Sequence, residues 1–314
     1  MVEKPPIQAE NYDVFHEKKV IVIVPAYNEE RFIGSVLLKL KRYPVDIIVV
    51  DDGSTDDTAG IARLAGVVVF KQESNQGKGG AINTGLHAAR ESSPDVIVML
   101  DADGQHLPED LPQIVEPILT GEADIVIGSR YIKNTSNTPL IRRWGHRFFN
   151  IATTLPSGVA VSDSQSGYRA FSKRAFESAV FHSNGFSVES EMQFFAREND
   201  LKVMDVPITI RYTDKAKRSP FSQGLNVLGG IIKLTGQYRP LIYFGIPGIA
   251  LMIIGIGWGI LVIERYAETG LLATGYALIC LLLSIIGLIM LSTGFTLHSI
   301  RGLLNDMLRP KDNR

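Results

Sequence analysis

Apolar residues follow one rhythm in the first half of this chain and another near its end. Short runs at Val20–Val24, Val45–Val50, Val67–Phe70, Val96–Leu100 and Ile125–Ile127 are β-branched and nearly free of charge. They read as strands covered on both faces, as in a parallel sheet. Between them, apolar positions such as Phe32, Ile33, Val36, Leu37 and Leu40 keep helical spacing, and short turns join strand to helix. The alternation predicts an α/β fold, a doubly wound and mostly parallel sheet. After residue 240 the rhythm changes. Leu241–Ile263 and Leu271–Leu297 carry no charged residue. At ~1.5 Å per residue the first reaches roughly 35 Å as a helix, and both exceed the ~20 residues that span a bilayer. They predict a two-helix transmembrane hairpin.

A third pattern lies between these parts. Leu140, Ile141, Trp144, Phe148, Ile151, Ala152 and Leu155 form one helical stripe, while Arg142, Arg143, His146, Arg147 and Asn150 form the other. This basic, aromatic-bearing helix over 138–155 reads as interfacial rather than as an ordinary surface helix. Phe221, Leu225, Leu228 and Ile232 predict a second, juxtamembrane amphipathic helix over 219–239. The expected organisation is therefore a tail at 1–18, a catalytic domain at 19–218, the juxtamembrane helix, a hairpin at 240–298 (spans 241–263 and 271–297) and a tail at 299–314.

Charge sharpens this division. The formal net charge of the 314 residues is −1, but Arg130–Arg147 holds five Lys/Arg and no acid, and Lys202–Arg239 holds seven against Asp205 and Asp214. Such patches point to anionic partners, phosphates or a lipid surface, and nothing calls for a nucleic acid. The 264–270 connection has Arg265 as its one basic residue, whereas Lys215, Lys217, Arg218, Lys233 and Arg239 precede the hairpin and Arg301, Arg309, Lys311 and Arg314 follow it. The positive-inside rule places the catalytic domain and both termini in the cytosol. The single cysteine, Cys280, lies in an apolar run, which excludes a disulfide framework and fits a reducing compartment. The charged amino terminus lacks the apolar core of a signal peptide. Gly255 and Gly259 form a G-x-x-x-G pair that would permit a homo-oligomer through the hairpin.

Candidate chemistry gathers where the strands end. The run Val96–Leu100 stops at Asp101 and Asp103, which leave an extended backbone on the same side. Two hard carboxylates, with Gln105 as a neutral oxygen, suit Mg²⁺ or Mn²⁺; the alternative is that Asp103-Gly104 is a turn. Pro25–Glu29, Asp52, Lys78 and Asp101/Asp103 all fall just beyond strand ends, where open α/β sheets bind ligands. Gly77-Lys78-Gly79-Gly80 at a helix start reads either as an anion cradle or as a flexible turn. Neither a Walker A loop nor a G-x-G-x-x-G turn is present. The polar clusters Asp163–Phe171 and Ser187–Met192 read as turns on composition.

Taken in order, Val24-Pro25-Ala26-Tyr27-Asn28-Glu29, Val50-Asp51-Asp52-Gly53-Ser54, Asn75-Gln76-Gly77-Lys78-Gly79, Asp101-Ala102-Asp103-Gly104-Gln105, Gly128-Ser129-Arg130-Tyr131 and Ser166-Gly167-Tyr168-Arg169 resemble family-2 glycosyltransferases of the dolichol-phosphate mannose synthase, polyprenyl-phosphate type. The resemblance covers roughly residues 19 to 215 and implies a GT-A fold. It also implies transfer of a hexose, with inversion, from GDP-mannose or UDP-glucose to a polyprenyl or dolichyl monophosphate. By the same resemblance, Pro25, Tyr27, Asn28, Glu29, Asp52, Lys78, Asp101, Ala102 and Arg211 would bind the donor, with Lys217 closing beside Arg211. Asp101, Asp103 and Gln105 would hold the cation. Arg130, Arg142 and His146 would receive the lipid phosphate, and the histidine stands where a serine is more usual. Asp101, Asp103 and Arg130 would carry catalysis, while Asp163, Gln165 and Glu191 would line the floor. Two other readings remain: a same-fold enzyme acting on a lipid-linked sugar or polysaccharide, and an inert membrane-anchored nucleotide-sugar-binding module. Processive synthases usually carry a Gln-x-x-Arg-Trp signature, and this chain has none.

Overall fold

In the computed structural model, residues 13–15, 18–132, 140–183, 188–211, 229–236 and 238–308 are described, without the side chains of 13, 140–148 and 304–308. The chain divides into two compact units, Met1–Ile231 and Ile232–Arg314.

The first unit is built on one seven-stranded sheet: β1 (Val20–Ala26), β2 (Asp46–Asp51), β3 (Val68–Lys71), β4 (Val96–Met99), β5 (Ile125–Ser129), β6 (Arg169–Ser172) and β7 (Val203–Pro207). Their spatial order is β3-β2-β1-β4-β6-β5-β7. Every pairing is parallel except those of β6, which runs antiparallel to both β4 and β5. Helices α1 (Ile33–Leu40), α2 (Thr58–Leu64), α3 (Gly77–Glu91) and α4 (Leu111–Leu119) follow the first parallel strands, and α5 (Leu140–Ser157), α6 (Lys173–Glu177) and α7 (Val188–Glu198) complete the unit. Two apolar layers result. One face of β1, β2 and β4 packs with α1 and α4 through Val22, Val24, Leu37, Val98 and Ile114. The opposite face packs with α3 and α7 through Ile21, Ile23, Ile82, Leu86 and Met192. The expected doubly wound, mostly parallel sheet is therefore present.

Pro25, expected to end the first strand, sits inside it. It pairs with Val50 of β2, while the ladder to β4 ends at Ile23. A residue without an N–H is tolerated because its β4 side has no partner strand at that height. The Val67–Phe70 strand is a sheet edge, not a doubly covered strand: Val68 and Phe70 of β3 are exposed. Of the two polar clusters expected as turns, Asp163–Phe171 does hold a turn at Ser164-Gln165 before it enters β6 at Arg169, whereas Val188–Met192 belongs to a regular helix, α7. β6 begins with a buried arginine, and α7 buries Glu189, Ser190, Glu191 and Gln193 beside its apolar residues. Polar residues facing inward erase the periodicity that sequence reading depends on.

The second unit consists mainly of two long apolar helices, Ile246–Thr269 and Thr274–Leu308. Segments Leu241–Thr269 and Thr274–Leu303 are long and apolar enough to cross a membrane, and most of each is exposed. The second helix continues to Leu308, beyond residue 298 where the sequence ends the hairpin. Glycine is what lets these helices touch. A Cβ on Gly248 would lie 2.7 Å from the Gly287 carbonyl oxygen, and one on Gly255 would lie 3.0 Å from that of Cys280. Gly255, expected to serve an oligomer, thus packs within the hairpin. Of the 219–239 helix, 229–236 is helical, and Phe221, Leu225 and Leu228 lie outside the described residues.

Candidate active site

The loops after β1, β2 and β4, with the start of α3, meet at the carboxyl edge of the sheet. Asn28 has a φ of 56°, a left-handed conformation that asparagine accepts more readily than most residues. That turn sends its N–H to Ser54 Oγ (2.9 Å) and presents its Oδ1 to the Thr55 N–H (2.9 Å). The Glu29 N–H donates to Thr58 Oγ1 at 2.8 Å. The Pro25–Glu29 loop is thereby stapled to the Asp52–Thr58 loop, with Tyr27 left 38 % exposed at the surface between them. Asp52 is buried, and its Oδ1 accepts the Gln76 N–H at 2.7 Å, which binds the third loop to the second. Burial pushes the Asp52 carboxyl above its ordinary range, against the opposing pull of the Gln76 and Gly77 N–H groups. Gly53 makes the approach feasible. Its φ is +73°, and a Cβ there would lie 2.8 Å from the backbone of Ser74.

At the end of β4, Ala102 is buried and the carboxylates on either side of it differ sharply. Asp101 Oδ1 stands 2.6 Å from Lys78 Nζ, and the same ammonium lies 2.7 Å from Glu189 Oε1 on α7. Burial opposes the charge on Lys78, but Asp101 and Glu189 more than offset it and hold its pKa above the ordinary lysine value. Burial likewise opposes ionisation of Asp101, and Lys78 reverses this, keeping the carboxyl below its usual range. Among the described residues, no such cation stands against Asp103. Its Oδ1 accepts the Gln105 N–H at 3.0 Å, while burial and then the Asp101 charge push its pKa up to about 6.

His106 closes this loop from beneath. Its imidazole is buried beside Tyr168 (ring centroids 5.6 Å apart), with Nδ1 3.9 Å from Asp101 Oδ2 and without a hydrogen-bond partner. Burial lowers its pKa to about 4, so it is neutral at pH 7. Its backbone bridges to Ile210, and the Arg211 N–H donates to the Gln105 carbonyl at 3.0 Å. Arg211 is thus set beside the Asp103–Gln105 turn, where it lines a cleft of about 140 Å³ with Phe32, Ser35, Gly104 and His106.

On the β5 side, Arg130 is held by Asp163: Nε to Oδ2 at 2.5 Å and Nη2 to Oδ1 at 2.6 Å. Its guanidinium also lies 5.7 Å over the Tyr131 ring. Gln165 Nε2 donates to Ser190 Oγ at 3.1 Å. Glu191 accepts the N–H groups of His182 (2.9 Å) and Ser183 (2.8 Å). The side chains of Arg142 and His146, and all of Lys217, lie outside the described residues.

Two residues of the cluster escaped sequence reasoning. Glu189, read as part of a turn, supplies the second carboxylate to Lys78. Arg169 is fully buried and donates to the carbonyls of Ser166 (2.9 Å), Ser164 (2.8 Å) and Glu189 (3.0 Å). It organises the turn that brings Gly167 onto the pair, where a Cβ would lie 2.7 Å from Lys78 Nζ. An arginine opening an apolar strand was the available signal.

The site suits a hard divalent cation. Asp103 is a partly buried carboxylate whose pKa is raised by burial and by the neighbouring Asp101 charge. Among the described residues no three His, Cys, Asp or Glu side chains converge on one point. A partial oxygen set of this kind fits Mg²⁺ or Mn²⁺ when substrate phosphates complete the shell.

Comparison with known proteins agrees with this geometry. The family model described as Glycosyl transferase family 2 matches residues 21–179. The chain belongs to that family. This glycosyltransferase is 40 % identical to an uncharacterized protein of Methanocaldococcus jannaschii over 68 % of its own length and 89 % of that protein's. It is 37 % identical to the UDP-N-acetylglucosamine–dolichyl-phosphate N-acetylglucosaminyltransferase of Methanococcus voltae, over 68 % and 92 % of the two chains. With the dolichol-phosphate mannosyltransferase of Pyrococcus furiosus the identity is 30 %, over 76 % and 71 %. Its fold superposes on glucosyl-3-phosphoglycerate synthase of Mycobacterium tuberculosis in complex with UDP. The TM-score is 0.59 and the identity 25 %, covering 75 % of this chain and 87 % of that one. The expected GT-A fold, followed by two long apolar helices, is therefore what this glycosyltransferase has.

Proposed function

We propose that this glycosyltransferase moves a hexose from a nucleoside diphosphate sugar to a polyprenyl or dolichyl monophosphate at a membrane surface, with inversion at the anomeric carbon. The observation that carries the reading is the split between two neighbouring carboxylates: Asp101 neutralised by Lys78 at 2.6 Å, and Asp103 left with a raised pKa beside it. The first is equipped to hold sugar or ribose hydroxyls, together with Lys78 and Glu189. The second, with Gln105, is equipped for a cation and a diphosphate. When bound, a divalent cation supplies charge neutralisation for the departing nucleoside diphosphate.

The other roles follow from position. The stapled loops carrying Pro25, Tyr27, Asn28, Glu29 and Asp52 form the nucleoside side, with Asp52 facing the base and Ala102 a close-packed wall. Arg211, fixed by the Gln105 carbonyl, closes on the phosphates. A lipid monophosphate is mostly dianionic at pH 7, its second pKa being near ~6. It needs no strong general base. It needs cations that bring it against an anionic donor, and Arg130, Arg142 and His146 lie in a stretch without acids. The attacking phosphate oxygen forms the new bond to the anomeric carbon as the bond to the donor's diphosphate breaks. The lipid product is a phosphate-linked sugar of opposite anomeric configuration.

Membrane seating supports this acceptor. α5 has Ile151 59 % and Leu155 78 % exposed, whereas Thr153 and Ser157 on the same helix are fully buried. Its apolar edge faces outward, as expected of an interfacial helix. The two apolar helices span the bilayer, with the catalytic domain on the basic, cytosolic side. The names of the Methanococcus voltae and Pyrococcus furiosus relatives favour a lipid phosphate over a lipid-linked sugar or a polysaccharide.

A transfer assay on membranes carrying the protein tests this. Radiolabelled UDP-glucose, UDP-N-acetylglucosamine and GDP-mannose are offered against a polyprenyl phosphate, with and without EDTA. One donor should give an organic-extractable product that EDTA abolishes. Donor binding without lipid product from any sugar would discard the lipid-phosphate acceptor.

A further inference from the structure

Arg130 is not held by its own strand alone. We propose that Asn150 is a positioning residue that couples α5 to Arg130, so that seating of α5 on an anionic lipid surface sets the arginine for the acceptor phosphate. The inference rests on the acceptor role given to Arg130 above.

The linkage consists of three short steps. Asn150 Nδ2 donates to the Ser162 carbonyl at 2.5 Å, and Asn150 Oδ1 accepts the Ser164 N–H at 2.7 Å. One planar amide thus grips the backbone on both sides of Asp163. The partners, one carbonyl and one N–H, fix which way the amide points. Asp163 is fully buried, and its two oxygens take Nε and Nη2 of Arg130, while Oδ2 also accepts the Arg130 N–H at 3.2 Å. A shift of α5 moves both bonds of Asn150 together, and with them the carboxylate that orients the guanidinium.

Other anchors of this loop lie on the sheet and on α7, where Gln165 Nε2 donates to Ser190 Oγ. Ser162 N–H donates to Asp205 Oδ2 at 2.5 Å, and Ser162 Oγ donates to Ser129 Oγ at 2.6 Å. The loop is therefore tied both to the sheet and α7 and, through Asn150, to α5. That helix wears its polarity inverted. Thr153 and Ser157 are buried, and Thr153 Oγ1 lies 3.4 Å from Ser190 Oγ. Ile151 and Leu155 face out within a turn or so of Asn150. An apolar outer edge on a helix with Arg142, Arg143 and Arg147 and no acid matches an anionic lipid surface rather than a protein core. Asn150 is where that edge is tied to the chemistry.

The test uses the full-length protein in phosphatidylcholine vesicles with and without anionic phosphatidylglycerol. In the wild type, the anionic lipid should lower KM for polyprenyl phosphate. Asn150→Ala should raise that KM about tenfold, the scale of one lost hydrogen-bonded link to a charged site. Donor KM should stay within about twofold, and the response to anionic lipid should vanish. Asn150→Asp, which still accepts the Ser164 N–H but cannot donate to Ser162, should fall between. A uniform loss of kcat with the lipid response intact would make Asn150 merely structural and overturn the proposal, as would no change at all. Hydrogen exchange needs no turnover. The Ser164 and Arg130 amides should gain protection on vesicle binding in the wild type but not in Asn150→Ala. If the wild type forms no lipid product, the acceptor reading fails and exchange alone decides the coupling; unchanged protection then overturns it.

Discussion

At the scale of single residues, the site is a set of charges whose neighbours decide what each can do. Asp101 and Asp103 are two positions apart and chemically the same, yet one is held ionised by the neighbouring Lys78 and the other is pushed up to about 6. A carboxyl whose pKa is raised on folding contributes stability at low pH, and that contribution is lost as the pH rises through the folded value. Asp103 therefore weakens the cation-free protein above pH 6. Asp103→Asn removes the charge. Thermal unfolding without divalent cations should show the Asp103→Asn variant melting about 2 °C or more above wild type at pH 8, with the gap closing near pH 4. Added Mn²⁺ should raise the melting temperature of wild type and not of the variant. A variant that is equally stabilised by Mn²⁺ would remove Asp103 from the cation site.

Among the elements, glycine contacts and inverted polarity are what matter. Gly287 is in backbone contact with the facing helix: its Cβ would lie 2.6 Å from the Gly248 oxygen and 2.8 Å from the Met252 nitrogen. Neither atom can move without moving a helix. Gly287→Val should therefore open the hairpin and lower the melting temperature in detergent, whereas Gly257→Val, whose Cβ would meet nothing within 4 Å, should not. On α5 the expectation is opposite in kind. Ile151→Asp with Leu155→Asp alters side chains that are already exposed, so soluble-domain stability should change by no more than about 0.5 kcal/mol. Transfer to a membrane-embedded polyprenyl phosphate should fall, while donor binding, followed by calorimetry, is kept.

For the whole molecule, the prediction is one of sidedness. Cys280 is buried, which leaves the protein suited to single-cysteine labelling. A cysteine at Thr269, the last residue of the first long helix, should react with a membrane-impermeant maleimide from outside intact cells, and one at Lys71 on the sheet edge should not. Labelling at both sites, or at position 71 alone, would reverse or abolish the hairpin topology. The alternating chemistry of the two units is the reason to expect this arrangement: an α/β layer with charged loop edges, followed by two long helices that expose many large apolar side chains.

Sequence alone determined a good deal. Nearly uncharged β-branched runs named five strands of the sheet; a strand covered on both faces tolerates little else, which accounts for all of them but the exposed edge strand β3. The length of two apolar runs named the spanning helices, and the spacing of carboxylates at strand ends located the candidate site. Tertiary structure decided the rest, for reasons of partnership. β6 and α7 went unread because their polar residues face inward, where Arg169, Glu189 and Gln193 break the apolar period. Lys78 looked like part of a phosphate cradle, and only the fold shows two carboxylates closing on it from β4 and α7. Gly255 looked like an oligomer contact, and only the packed hairpin shows that its neighbour is Ser284 of the same chain. A sequence carries periodicity and composition, which fix where a residue lies along an element. Whether a charge is compensated depends on groups far along the chain, and only folding brings those together.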